Sequence, residues 1–159
     1  MKRFFPQLAS LLLTLWIGSL WMIGYLAVPI LFASLPDKQL AGNIAGEMFR
    51  VSGYLQLFAA GGLLLAGLAA GSWHSGHRRA LIIALVMVAM NAASLFGIQP
   101  YMADLKLQAL PLSVMESALR DSFALWHGVS SALYLGQSLL AAWLLLLWQQ
   151  QKPRVSESS

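Results

Sequence analysis

Four long apolar stretches, from Leu8 to Leu35, Val51 to Trp73, Ala80 to Ala103 and Ser122 to Gln151, contain no Asp, Glu, Lys or Arg. About 20 apolar residues in a helix cross a hydrocarbon core of about 30 Å, so each stretch is long enough to span a bilayer. A barrel strand would show about ten residues of strict alternation, which is absent. A spanning segment must also satisfy its own backbone hydrogen bonds, which a helix does internally. The pattern predicts an all-α fold: a four-helix transmembrane bundle with spans at about 8–35, 51–73, 80–100 and 122–149. These form one domain over 1–149, followed by a polar tail over 150–159 expected to be disordered.

The connections between spans are patterned too. Leu40, Ile44 and Met48 recur at helical spacing while Lys38 and Glu47 fall elsewhere on the wheel, and Asp37 follows Pro36 in an N-capping position. A short helix over Asp37 to Phe49 is expected to lead into span two. Around Pro111, Leu105, Leu112, Met115 and Leu119 alternate with Asp104, Lys106, Glu116 and Arg120. That spacing predicts one or two interfacial amphipathic pieces over the outer face.

Composition turns this pattern into an argument about environment. Of 159 residues, 58% are hydrophobic and 10% charged, against about 25% charged in an ordinary soluble domain. The absence of cysteine excludes a disulfide framework, a thiolate metal site and a Cys nucleophile. The net charge of +4 reads as topology. Lys2, Arg3, Arg78, Arg79, Lys152 and Arg154 fall on one side. Lys38, Arg50, Lys106 and Arg120 fall on the other, mixed with Asp37, Glu47, Asp104, Glu116 and Asp121. Both termini are therefore expected to be cytoplasmic. The first apolar run is too long for a signal-peptide core of about 7 to 15 residues, so it is expected to be kept as a helix. There is no basic stripe interleaved with aromatics, and nucleic-acid binding is not expected.

Polar residues inside the spans are the candidates for chemistry, because facing them to lipid is costly. On span four, His127, Ser130, Ser131, Tyr134, Gln137 and Ser138 follow steps of three and four and are expected to face inward. Asn91 and Gln99 on span three and Gln56 on span two are placed to join them in an outward-opening polar pocket. Thr14, Gly18, Trp21 and Tyr25 share a face of span one, with Pro29 expected to kink its outer half. The alternative is interhelical hydrogen bonding that sets helix register at about 0.6 kcal/mol per contact.

One intramembrane histidine is a poor metal site, since zinc or copper wants three or four ligands. No metal is expected, and haem or copper at His127 stands only as an alternative. The seven methionines are scattered and read as packing residues. His74 and His77 fall in a short turn beside Arg78 and Arg79 and read as solvated. Gly67 and Gly71, extended by Ala59, Gly62, Ala66 and Ala70, suit close packing against a helix of this chain or of a second copy in a homo-oligomer. Trp73, Trp143 and Trp148 at one side and Trp126 at the other suit interfacial belts. No catalytic triad, phosphate loop or carboxylate pair is present.

Several segments resemble a known family: Leu15-Trp16-Ile17-Gly18-Ser19-Leu20-Trp21, Pro29-Ile30-Leu31-Phe32, and Ala41-Gly42-Asn43-Ile44-Ala45-Gly46-Glu47-Met48-Phe49. Ile98-Gln99-Pro100-Tyr101-Met102 and Trp126-His127-Gly128-Val129-Ser130-Ser131 agree. Together they resemble a bacterial family of small four-span proteins that is a domain of unknown function, related to transmembrane protein 205-like proteins, over nearly the whole chain to about Trp148. The resemblance implies an integral protein of the bacterial cytoplasmic (inner) membrane with no established activity. The expected function is then a non-enzymatic membrane protein that binds or moves a small solute, lipid or metal complex. The alternatives are a haem- or metal-dependent redox protein using His127, or a packing subunit of a membrane complex.

Overall fold

The computed structural model describes residues 4–69 and 78–150, all helix and turn. Helix α1 runs Phe4–Met22, passes through a π-helical segment at Ile23–Ala27 and continues as α2 over Val28–Ser34. Helix α3 covers Lys38–Ala69, and α4 covers Arg78–Ala93. A second π segment at Ser94–Ile98 leads into α5, Gln99–Gln108. A 3-10 turn at Val114–Glu116 precedes α6, Arg120–Gln150. Four of the resulting rods are long and apolar enough to cross a membrane: Gln7–Ser34, Lys38–Leu68, Arg78–Gln108 and Arg120–Gln150. The chain is a four-helix membrane bundle. Lys2, Arg3, Ala70, Gly71, Trp73, His74, His77, Lys152, Pro153 and Arg154, with the tail, lie outside the described residues.

The π segments follow one rule. Each ends two residues before a proline, Pro29 or Pro100, which opens the next α-helical stretch. Proline has no N–H to donate and its ring crowds the carbonyl four residues back. Widening the preceding turn to i→i+5 bonding relieves that crowding while keeping most of the ladder. Pro29 thus reshapes span one by a wide turn, where the sequence pattern predicted a kink.

Helix α3 departs from expectation. No break separates the amphipathic segment before Phe49 from the apolar run after it, and 32 residues make one rod of about 48 Å. Asp37 caps it, its Oδ1 accepting from the Gln39 and Leu40 amides at 2.8 and 3.0 Å. Lys38 reaches back to the Phe32 and Leu35 carbonyls at the end of α2. The segment after α5 likewise adds no second long helix. Leu105, Ala109 and Val114 bury a small cluster with Leu119 and Phe123 that folds this connection onto the bundle end.

Neighbours run α1 to α3, α3 to α4, α4 to α6, and α6 back to α1 through a thinner contact. The main core gathers Leu13, Trp16, Leu20, Ala59, Leu63, Met87, Ala141 and Leu144, nearer the ends of α1 and α6 that carry the termini. The small residues Ala59, Ala60 and Ala66 of α3 are buried there, and Gly62 lets Leu12 approach to where a Cβ would meet it at 3.0 Å.

At the terminal end Trp148 Nε1 donates to Ser10 Oγ at 3.3 Å. At the other, loop end Tyr101 packs edge-on to Trp126 at 5.3 Å, and Phe32 lies beside Gly42. Trp126 to Trp148 and Ser10 to Phe32 each span 22 residues, about 33 Å at ~1.5 Å per residue. That separation is close to the thickness of a hydrocarbon core.

Candidate functional site

The polar side chains of the spans meet backbone carbonyls one at a time. Asn91 Nδ2 donates to Gly53 O at 3.0 Å, joining α4 to α3. Gln137 Nε2 donates to Met87 O at 3.0 Å, joining α6 to α4. Both side chains are buried. Ser138 bonds the Tyr134 carbonyl and Ser131 the His127 carbonyl within α6. Gln56 is 4% exposed and donates to Ser52 Oγ at 2.9 Å, while its Oε1 has no partner among the described residues. Gln99 and Ser130 are half-buried.

The span-four face therefore divides along its length. Gln137 and Ser138 point into the bundle, whereas His127 and Ser131 are exposed, although all were expected to face inward. The reason is visible in the packing. The loop-end turns of α6 lie outside the main core, and Ala124 to Val129 are exposed in turn after turn. His127 stacks on Phe123 at 6.1 Å, one residue past Trp126. It lies near the start of α6, away from the main core.

Between the two halves stands Tyr134. Its hydroxyl donates to Leu20 O, and the Gly24 amide faces the same oxygen. In a regular helix those two groups would bond each other, so the tyrosine is inserted into the ladder where the first π segment opens it. A Cβ on Gly24 would lie 2.6 Å from Tyr134 Cζ, inside contact distance. Phe49 meets the Tyr134 ring edge-on at 5.3 Å and Tyr25 lies tilted at 6.2 Å. Sequence spacing placed Tyr25 and Tyr134 on useful faces but gave no sign of Gly24.

The same stretch of α1 forms one wall of a cavity. A groove of about 480 Å³ opens sideways between α1 and α3, bounded by Ser19, Met22 and Ile23 on one side and Ile44, Glu47, Met48, Val51, Ser52 and Leu55 on the other. Its size falls within the ~300–1,000 Å³ of small-molecule sites. The walls are almost wholly apolar, although Ser19, Ser52 and Glu47 are among the residues that line them. Behind Ser52 stands Gln56 with its unpaired oxygen. Of the residues expected in a pocket, Gln56 alone adjoins this one.

Glu47 is held by Arg50, whose Nε and Nη2 donate to Oε2 at 2.9 and 2.6 Å. Among the described residues this is the one salt bridge. The pair lies five and eight residues along α3 from Gly42, about 8 and 12 Å further along the helix. Both side chains are more than half exposed. Glu47 falls in, and Arg50 directly after, the segment expected to be a short helix leading into span two, which the structure joins to that span without a break.

At the loop end Lys106 donates to Gly42 O at 3.2 Å and Asn43 Oδ1 at 3.1 Å and lies 5.7 Å over the Phe123 ring. It ties α5 to the start of α3, so Gly42 serves as a backbone acceptor. Of the other motif residues, Trp16 and Ala41 are buried, Phe49 half-buried, and Gly18, Pro29, Phe32, Gly46, Pro100 and Gly128 exposed. Among the described residues no three of His, Asp and Glu come together to hold a metal ion.

No curated protein and no solved structure matches this chain. Residues 11–111 do match a family, covering the first three spans, both π segments, the groove and the Lys106 tie, and the chain belongs to that family, a domain of unknown function (DUF4149).

Proposed function

We propose that this multi-pass protein binds an amphiphile of the bilayer, a molecule with an apolar tail and a polar end, in the groove between α1 and α3. The observation that carries this reading is the groove itself: a sideways opening between α1 and α3, apolar along its walls, with Glu47 among the residues that line it and Arg50 bonded to Glu47. A soluble solute would find few partners there. A tail would replace lipid contacts along Met22, Ile23, Met48, Val51 and Leu55, and a polar end would meet Glu47 and Arg50. The polar side chains on α4 and α6 serve a different purpose, holding the helices in register through Gly53, Met87 and Leu20 carbonyls.

We also place the protein in the bacterial cytoplasmic membrane with both termini cytoplasmic, on the basic residues flanking its terminal end. Kinship to transmembrane protein 205-like proteins is proposed on the Trp126-His127-Gly128 and Gln99-Pro100-Tyr101 segments. Native mass spectrometry of protein released from native membrane tests the binding. Wild type is expected to carry one lipid-sized adduct that Val51→Trp, filling the groove, loses. Equal adducts on both would refute the groove as the site.

A further inference from the structure

The Glu47–Arg50 pair is incompletely satisfied where it stands. Both bonds converge on Glu47 Oε2, so Oε1 is free for another donor and the Arg50 Nη1 group for another acceptor. Glu47 lines the groove, and the Arg50 side chain faces Tyr54 one turn further along α3. The two charges cancel, so the pair exerts little net pull on an anion or a cation alone. A group that satisfies both must itself carry a donor cation beside an anion.

We infer that the groove selects a phospholipid whose head bears a primary ammonium next to its phosphate. The ammonium donates to Glu47 Oε1 at the groove mouth, the phosphate accepts from Arg50 Nη1, and one acyl chain lies along Met22, Met48, Val51 and Leu55. This rests on the groove reading and adds the chemistry of the head. Charge-assisted bonds of this kind are the strong ones. Choline heads lack the N–H that Oε1 needs, glycerol heads lack the cation, and diacylglycerol lacks both charges.

Titrating the full-length protein in detergent with dioleoyl phosphatidylethanolamine, phosphatidylcholine, phosphatidylglycerol and dioleoylglycerol, with affinities read by native mass spectrometry, tests this. Wild type is expected to bind the ethanolamine lipid about tenfold more tightly than the other three. Glu47→Gln keeps the shape of the site and is expected to bring the ethanolamine lipid to within about twofold of the choline lipid. Val51→Trp is expected to weaken all four. Equal binding of all four lipids by wild type, all weakened by Val51→Trp, would overturn the head assignment and leave the groove standing. Binding that Val51→Trp does not change would overturn the groove as well.

Discussion

A tyrosine and a glycine hold the centre of this bundle. Tyr134 completes the hydrogen bonds that the π segment leaves open, and only hydrogen at Gly24 lets the ring approach. Tyr134→Phe removes the hydroxyl while keeping the ring against Phe49, and is expected to cost about 1 kcal/mol in detergent unfolding. Gly24→Ala is expected to cost about 1–3 kcal/mol through overpacking. In a Tyr134→Ala background that second penalty should fall below about 0.5 kcal/mol, because the clash has gone. Circular dichroism of the four proteins gives the coupling, and equal Gly24→Ala costs in both backgrounds would contradict the packing. His127, exposed near the start of α6 and stacked on Phe123, behaves oppositely. His127→Ala is expected to stay within about 0.5 kcal/mol of wild type and to retain lipid unchanged.

At the scale of elements, the Asp37 cap and the unbroken α3 place Glu47 and Arg50. Asp37→Ala is expected to destabilise α3 by about 1 kcal/mol and to speed amide exchange at Gln39 and Leu40. Unchanged protection at those amides would show that the cap does not hold the start of the helix. Four membrane helices were legible in the sequence because hydrocarbon tolerates so few alternatives: long uncharged runs leave the backbone no other way to bond. The join at Phe49 was not legible, since charge at Glu47 and Arg50 reads locally as the end of a span. The structure shows that the helix runs through those charges as one rod. Pro29 signalled a disturbance correctly but not its form, and Pro100 was not read as one. The groove was hidden because Ser19 and Ser52 are lone hydroxyls on different helices, joined only by packing. The polar stripe of α6 was legible as a helical face. Its division between Gln137 inside and His127 outside depends on how far the core extends toward the loop end.

At the scale of the whole molecule, an extensive α1–α3 contact and a thinner α1–α6 contact leave the loop half of the bundle open, with the groove proposed to bind an amphiphile on its side. The proposed topology puts that half in the periplasmic leaflet. A fluorescent reporter fused after Ser159 is expected to light in the cytoplasm, and alkaline phosphatase at the same point to be inactive. The reverse result would move the groove to the cytoplasmic leaflet. The central claim, that the groove holds an amphiphile, is met most directly by photo-crosslinking. Protein in bilayers containing a phosphatidylethanolamine with a diazirine in its acyl chain is irradiated, digested and mapped. Label concentrated on Met22, Ile23, Met48, Val51 and Leu55 is the predicted result, and label spread evenly over the lipid-facing residues of α4 and α6 as well would contradict it.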